Sequence, residues 1–467
     1  MSSLEDRSAW AAATADAMRQ TIALPGTLAR FGPALLALFG FAATLMLFWP
    51  GLMTHDAAWV YAATMGAPLG DWQSPVMAVL WRLIDPIAPG PGSMLLITAA
   101  LYWLGIGLIA TVTARRSALI AALLIAAALT PPALFMLGII WRDMLLAALW
   151  IAAAGLVLIA KDDKDRDDKD RVDGRGIALR IAALALIVLG VLLRPNAIPA
   201  GVLLALYAVM PTRFEWRRTV VLFIPFAVAL FALSQIAYYQ VLGAVRQYPL
   251  HSLFVFDLGG ITHHSGENVF PVAWTDEQQI MLTSDCHRGD MWDWYWYLPP
   301  CDFVMTRLEA ENLFHSPAIG EAWRAAIAKH PLPYLAHRAG FMGKFLFAQN
   351  QTLPIGRPAA ANVNFAPSVA YEAYAAAHEA LKATPLFRTG LWLALCAGVC
   401  AFAWPRRARP AGAFALATAG SALIYVASFA LLGVAADFRY GYWAVPAVLA
   451  SAAMLWAERE KRSVAQL

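Results

Sequence analysis

The sequence is short of charge: only 14% of its 467 residues are Asp, Glu, Lys or Arg, while 60% are hydrophobic. A water-soluble chain is about one quarter charged and nearer one half apolar, so this deficit excludes a soluble multi-domain protein and implies a multi-span membrane one. Cysteine is scarce too, with four in the chain. No Cys-x-x-Cys pair occurs, which speaks against a zinc-ribbon or finger-type site, including one built on Cys286 and Cys301 with His287. The formal charge of +4 is small, and Lys and Arg fall in a few loops rather than on one basic face. That excludes nucleic acid as the partner. A cleavable signal peptide is not expected, because residues 1–31 are polar and mixed and the first apolar run is long enough to remain as a span. Trp10, Met18, Ile22 and Leu24 instead mark the apolar side of a helix lying along the membrane.

Apolar runs are abundant. About twenty helical residues cross the hydrocarbon core, and runs of that order predict about ten spans, at 32–53, 93–114, 117–138, 144–160, 177–193, 197–210, 220–238, 385–404, 411–434 and 442–457. The expected fold is therefore an all-α polytopic membrane protein. Its parts are a cytoplasmic interfacial helix (1–31), a transmembrane module (32–238) whose first loop is 54–92, an extracytoplasmic loop or small domain (239–384), and C-terminal spans (385–467). Basic residues at Arg115-Arg116, in the run 161–175, at 213–218, at Arg406, Arg407 and Arg409, and at 459–462 occupy alternate loops, which places them together on the cytoplasmic side. The charge-balanced run 161–171 reads as a solvated loop. Cys396 and Cys400 read as packing residues on one helix face, whereas Cys286 and Cys301 lie outside the cytoplasm, where a disulfide is permitted.

The opposite loops hold the unusual polar residues. They are Thr54-His55-Asp56 with Asp71-Trp72-Gln73-Ser74-Pro75, Trp141-Arg142-Asp143, Arg194-Pro195-Asn196, and Asp437-Phe438-Arg439-Tyr440. Any one of these is explained as a span-end anchor; four on the same face are explained more economically by one shared polar cavity. In it, Asp56 suits a general base. Asp71 and Asp143 are second carboxylates that would bind a divalent metal with Asp56, orient an acceptor, or pair with Arg142. Arg142, Arg194 and Arg439 suit a phosphate, since a guanidinium binds it through a bidentate fork and keeps its charge when partly buried. Arg194 has no acid beside it in sequence, which ranks it first. His55, Trp72, Asn196 and Tyr440 are pocket candidates. The long loop adds His263 and His264, which with Glu267 lack a metal-ligand spacing, and His337, Arg338 and Lys344, which line a lipid-phosphate path or anchor a helix. Trp292, Trp294, Tyr295, Trp296 and Tyr297 fit a surface resting on the bilayer interface.

An acid directly after the first span, an interfacial helix at 74–83 and a large late loop together resemble the GT-C superfamily of membrane glycosyltransferases, which includes protein mannosyltransferases and the aminoarabinose transferase of lipid A. Asp71 to Pro75 is similar to an Asp-Trp-His-Pro-Pro-like segment of bacterial relatives, with Gln73 and Ser74 departing from it. Trp141-Arg142-Asp143 resembles their Lys-Asp or Arg-Asp pair, and Asp437 to Tyr440 their late Arg-Tyr. Ala57 stands where protein mannosyltransferases carry Glu. The resemblance implies an inverting transfer of sugar from a polyprenyl-phosphate donor to a lipid or glycan acceptor of the cell envelope, on the periplasmic face of a bacterial inner membrane, with no certain cofactor and a divalent metal open. Within that reading Asp56, Asp71 and Asp143 are the catalytic candidates and Arg194, Arg439 and Arg142 the donor-phosphate candidates. An O-antigen-type ligase or polymerase using His263, His264 and Arg338, a lipid-linked-sugar flippase or transporter, and a non-catalytic assembly subunit are the other readings.

Overall fold

The computed structural model describes residues 26–164, 174–210, 213–348 and 365–465. Residues 1–25 of the predicted N-terminal interfacial helix and most of the charge-balanced run lie outside them, while residues 26–31 begin the first membrane helix, Gly26–Phe48. Among the described residues the chain is helical and forms isolated bridges but no strand. Six helices are long and apolar enough to cross a membrane: Phe31–Phe48, Pro91–Ala114, Arg142–Asp162, Gly174–Leu193, Trp216–Val241 and Pro410–Leu432. They make the chain a multi-pass membrane protein.

In chain order the helices are α1 (Gly26–Phe48), α2 (His55–Thr64), α3 (Pro75–Ile84), α4 (Pro91–Ala114), α5 (Ala118–Ala128), α6 (Pro131–Leu134), α7 (Arg142–Lys164), α8 (Gly174–Leu193), α9 (Ile198–Val209) and α10 (Trp216–Gln235). There follow α11 (Leu250–Ser265), α12 (Asp276–Ser284), α13 (Phe303–Ala310), α14 (Pro317–Lys329), α15 (Pro331–Phe347), α16 (Val369–Leu381), α17 (Thr389–Ala403), α18 (Pro410–Leu432) and α19 (Ala444–Ala465). All ten predicted apolar runs are helical. The run at 117–138 is not one straight span: Pro131 and Pro132 lack the N–H groups that would continue α5, and the chain turns by 64° there. Helix α9, α17 and the apolar part of α19 are shorter, or more charged toward their ends, than the six.

Helix α7 is the centre of the bundle, almost wholly buried, with α4 and α8 packed against it. The approach of α4 depends on Gly105, since a Cβ there would meet the Ile151 backbone at 2.5 Å. By contrast α10 buries few of its residues and exposes Val220, Val221, Ile224 and Val228, an apolar face suited to lipid. The described parts of segment 239–384 pack against the bundle. Within it α11 packs on α14 and α15, and α16 sits against the bend after α5, where Tyr374 donates to the Leu129 carbonyl at 2.8 Å and His378 stacks on Phe135.

Candidate functional site

Two short helices carry the first loop. Thr54 caps α2 by accepting from the Ala57 N–H at 3.3 Å and also accepts from the Trp141 indole at 2.8 Å. Ser74 caps α3, with Pro75 in its first turn, where a missing N–H costs nothing. Asp56 is thereby fixed on the first turn of α2 and Gln73 just before α3. Gln73 Nε2 donates to Asp56 Oδ1 at 3.2 Å, and Arg439, 383 residues on, donates to Oδ2 at 2.7 Å. Burial alone would raise the Asp56 pKa, but the Arg439 guanidinium, with Arg142 and His55 behind it, outweighs this and holds the carboxyl below its ordinary value. The carboxylate keeps a free edge, being 38% exposed.

These groups line a cleft with Ala57, Val60, Met77, Ile140, Trp141, Arg142, Asp143 and Tyr440. Its empty volume is about 290 Å³, including the part open to solvent. Arg439 lies over the Trp141 ring at 4.6 Å and donates to the Tyr440 hydroxyl at 2.8 Å; Asp437 supports it, accepting from its N–H at 3.0 Å. Arg142 donates to the Trp72 carbonyl at 3.3 Å, and among the described residues no carboxylate pairs with it. A second cleft, of about 260 Å³, adjoins the first through Val60 and Gln73 and is lined mainly by Trp59, Ala63, Pro68, Leu69, Pro75 and Ala78.

The other predicted residues are placed differently. Pro195 holds Arg194 in an extended conformation that ends α8. The Arg194 side chain is buried in an ion pair with Asp143, donates to Asn196 Oδ1 at 3.3 Å and lies over the Tyr440 ring. Arg194 and Asn196 back the cleft and do not line it. Asp71 is turned the other way, accepting from the Tyr239 hydroxyl at 2.7 Å and the Gln247 N–H at 2.6 Å. His55 is exposed beside Trp59. Trp72 packs on Trp292 and Trp296, with ring centroids 5.5 and 5.6 Å away, and so joins the first loop to the large one. His263 and His264 cluster with His287, away from the residues lining the cleft. His337 and Arg338 are buried against Asp257, which also accepts from Trp323 at 2.7 Å. Cys286 and Cys301 form a disulfide, while Cys396 and Cys400 are free thiols on α17. The divalent-metal option finds little support: guanidinium groups take the carboxylates of Asp56 and Asp143, and no group of three His, Cys, Asp or Glu among the described residues is placed to hold an ion.

Sequence reasoning gave no role to Gln73, Tyr239 or Gln247, which hold Asp56 and Asp71. No family model matches the chain, and no curated protein does. Among solved structures it is similar to the crystal structure of the Archaeoglobus fulgidus oligosaccharyltransferase in its apo form, at 16% identity and a TM-score of 0.39, over 91% of this chain and 50% of that one. The chain thus spans about half the length of that protein.

Proposed function

We propose that the protein is an integral membrane glycosyltransferase that moves a sugar from a polyprenyl-phosphate donor to an acceptor hydroxyl on a lipid or glycan of the cell envelope. One observation carries this reading. A single cleft beside the ends of membrane helices presents a carboxylate with a free edge, Asp56, next to a guanidinium with no carboxylate partner, Arg142. Glycosyl transfer from a phosphate needs that combination. The acceptor oxygen attacks the anomeric carbon as the bond to the phosphate oxygen breaks, and the electron pair leaves on polyprenyl phosphate. Asp56 receives the hydrogen bond of the attacking hydroxyl, while Arg142 and Arg439 stabilise the charge growing on the leaving group. One displacement inverts the sugar.

Arg194, ranked first for phosphate on sequence, has the different task of neutralising Asp143 beneath the site. The ligase-type alternative leans on His263, His264 and Arg338, and none of them lines the cleft, which favours a reaction centred on Asp56.

Purified protein incubated with a panel of radiolabelled polyprenyl-phosphate sugars and envelope lipid extract is expected to release free polyprenyl phosphate. Asp56→Asn should lower that rate by roughly 10²-fold or more. A folded Asp56→Asn protein that transfers at the wild-type rate would remove the central claim.

A further inference from the structure

Four imidazoles meet outside the cleft, where α11, the loop closed by the Cys286–Cys301 disulfide and α15 come together. His263 and His264 lie in the last turn of α11, His287 follows Cys286 in the loop, and His337 lies in α15. The ring centroids of His263 and His264 are 4.9 Å apart, those of His263 and His287 4.8 Å, those of His264 and His287 5.4 Å, and those of His287 and His337 5.0 Å. Two glycines of α11 make the room: a Cβ on Gly259 would strike the Tyr295 ring, and one on Gly260 the His337 ring. The cluster runs inward from exposed His264, through half-buried His263 and His287, to buried His337.

The charges that face the cluster are Asp257 from α11 and Arg338 and Lys344 from α15. Asp257 is already engaged: it pairs with Arg338, accepts from the Trp323 indole at 2.7 Å, and its Oδ1 lies 3.1 Å from His337 Nε2. Lys344 donates to the Arg288 carbonyl, next to His287. The Thr283 carbonyl lies 2.6 Å from His263 Nδ1, and the Tyr295 hydroxyl 3.3 Å from His287 Nδ1. Among the described residues no carboxylate pairs with His263, His264 or His287. Protons added to these rings would therefore set like charges about 5 Å apart with no acid to offset them. Burial, and next the other imidazoles and Lys344, push the His287 pKa down to about 2, and burial lowers those of His264 and His337. The closed cluster holds only while its rings stay neutral.

Both walls of the cluster are fastened to the same stretch of chain. Arg338, beside His337, donates to the Gly433 carbonyl at 2.6 Å; in the disulfide loop the Trp292 N–H donates to the Val434 carbonyl at 2.9 Å, and the Asp290 carbonyl accepts from the Ala436 N–H at 2.7 Å. Residues 433–436 lead to Arg439, which donates to Asp56 at 2.7 Å. We propose that the four histidines form an acid-sensitive latch. Neutral, they hold the disulfide loop and α15 together on residues 433–436; protonated, they part and release that stretch, and with it the grip of Arg439 on Asp56. The sign follows from proton binding. Opening frees the rings to titrate near the ordinary 6.5, so the open form gains protons as pH falls below that value, and the closed form is fully favoured above it. The latch is independent of the reaction performed in the cleft.

The test is hydrogen–deuterium exchange of the full-length protein in lipid nanodiscs, corrected for the intrinsic pH dependence of amide exchange. From about pH 7.5 to about pH 5, peptides spanning 286–297 and 433–440 should lose protection by roughly 30-fold for each imidazole released, while peptides from the centres of α4 and α7 keep theirs. His264→Gln, at the exposed end of the cluster, should fold like the wild type and flatten that response. His287→Gln should remove the larger share of it. Protection that is unchanged at both peptides down to about pH 5, an equal loss in α4 and α7, or a full wild-type response in both variants overturns the proposal. Protection that answers to a chelator and not to acid overturns it too.

Discussion

Two arginines in neighbouring loops show how little residue type alone decides. Arg194 and Arg142 both follow or begin apolar helices, yet Arg194 is buried in an ion pair with Asp143 and Arg142 meets only a backbone carbonyl. Asp143→Asn would leave Arg194 buried and uncompensated. Its expected cost is about 3–5 kcal/mol, read as a lower thermal midpoint in detergent. Arg142→Gln should keep the midpoint near wild type and weaken donor binding instead, read as a raised KM. Asp293 carries the reverse sign. Its folded pKa of about 6 lies above the ordinary 3.8, so the folded state binds more protons than the unfolded one between those values. Stability falls as pH rises through that window and stays lowered above it; Asp293→Asn should therefore raise the midpoint at pH 7–8 and leave it unchanged near pH 3. A lowered midpoint at pH 7–8 would contradict this. Sequence placed Asp56, Arg142 and Arg439 on one face but ranked Arg194 first for phosphate, because its partner stands 51 residues away in the chain. Local adjacency was the only pairing visible there.

At the scale of elements, the disulfide loop has the largest leverage. Cys286 and Cys301 are 15 residues apart and enclose the turn that bears Asp293. A crosslink closing a loop of that size stabilises by about 3 kcal/mol in the chain-entropy view. Cys286→Ser should lower the midpoint and the transfer rate together, and the same losses should follow dithiothreitol treatment of the wild type but not of the variant. The expected extracytoplasmic side and the scarcity of cysteines made this pairing readable in advance. Asp71 was not readable in the same way. Its carboxylate ties the first loop to the Tyr239 hydroxyl and the Gln247 N–H, and the Val245 N–H donates to the Leu69 carbonyl beside it at 2.8 Å. Such a clamp depends on where α10 ends, which a hydropathy pattern does not resolve. Helix type and position were legible because apolar periodicity and capping residues are local, as at Ser74-Pro75, and the turn at Pro131-Pro132 could have been read from the missing N–H groups.

For the whole molecule, the alternation of basic loops predicts that the disulfide region and the basic loop at Arg406-Arg407 lie on opposite sides of the membrane. In a background with Cys396 and Cys400 replaced, a cysteine at exposed Asp285 should react with an impermeant maleimide in whole cells, whereas one at Arg407 should react only after lysis. Labelling of both in whole cells would reject this topology. The stitching between segment 239–384 and the bundle bears on how substrates reach the cleft. Lifting that segment away would break the Asp290 and Trp292 backbone bonds and the one from Arg338, itself paired with buried Asp257, to the Gly433 carbonyl at 2.6 Å. Helices α2 and α3 are fastened to each other as well, by the Thr64 hydroxyl to the Ala78 carbonyl at 3.2 Å and by Arg82 to the Thr64 and Ala63 carbonyls at 2.9 and 2.7 Å, while Trp59, Met65 and Leu83 are exposed beside them. Under the proposed function, the hydrocarbon tail of a donor would meet the protein along those exposed side chains.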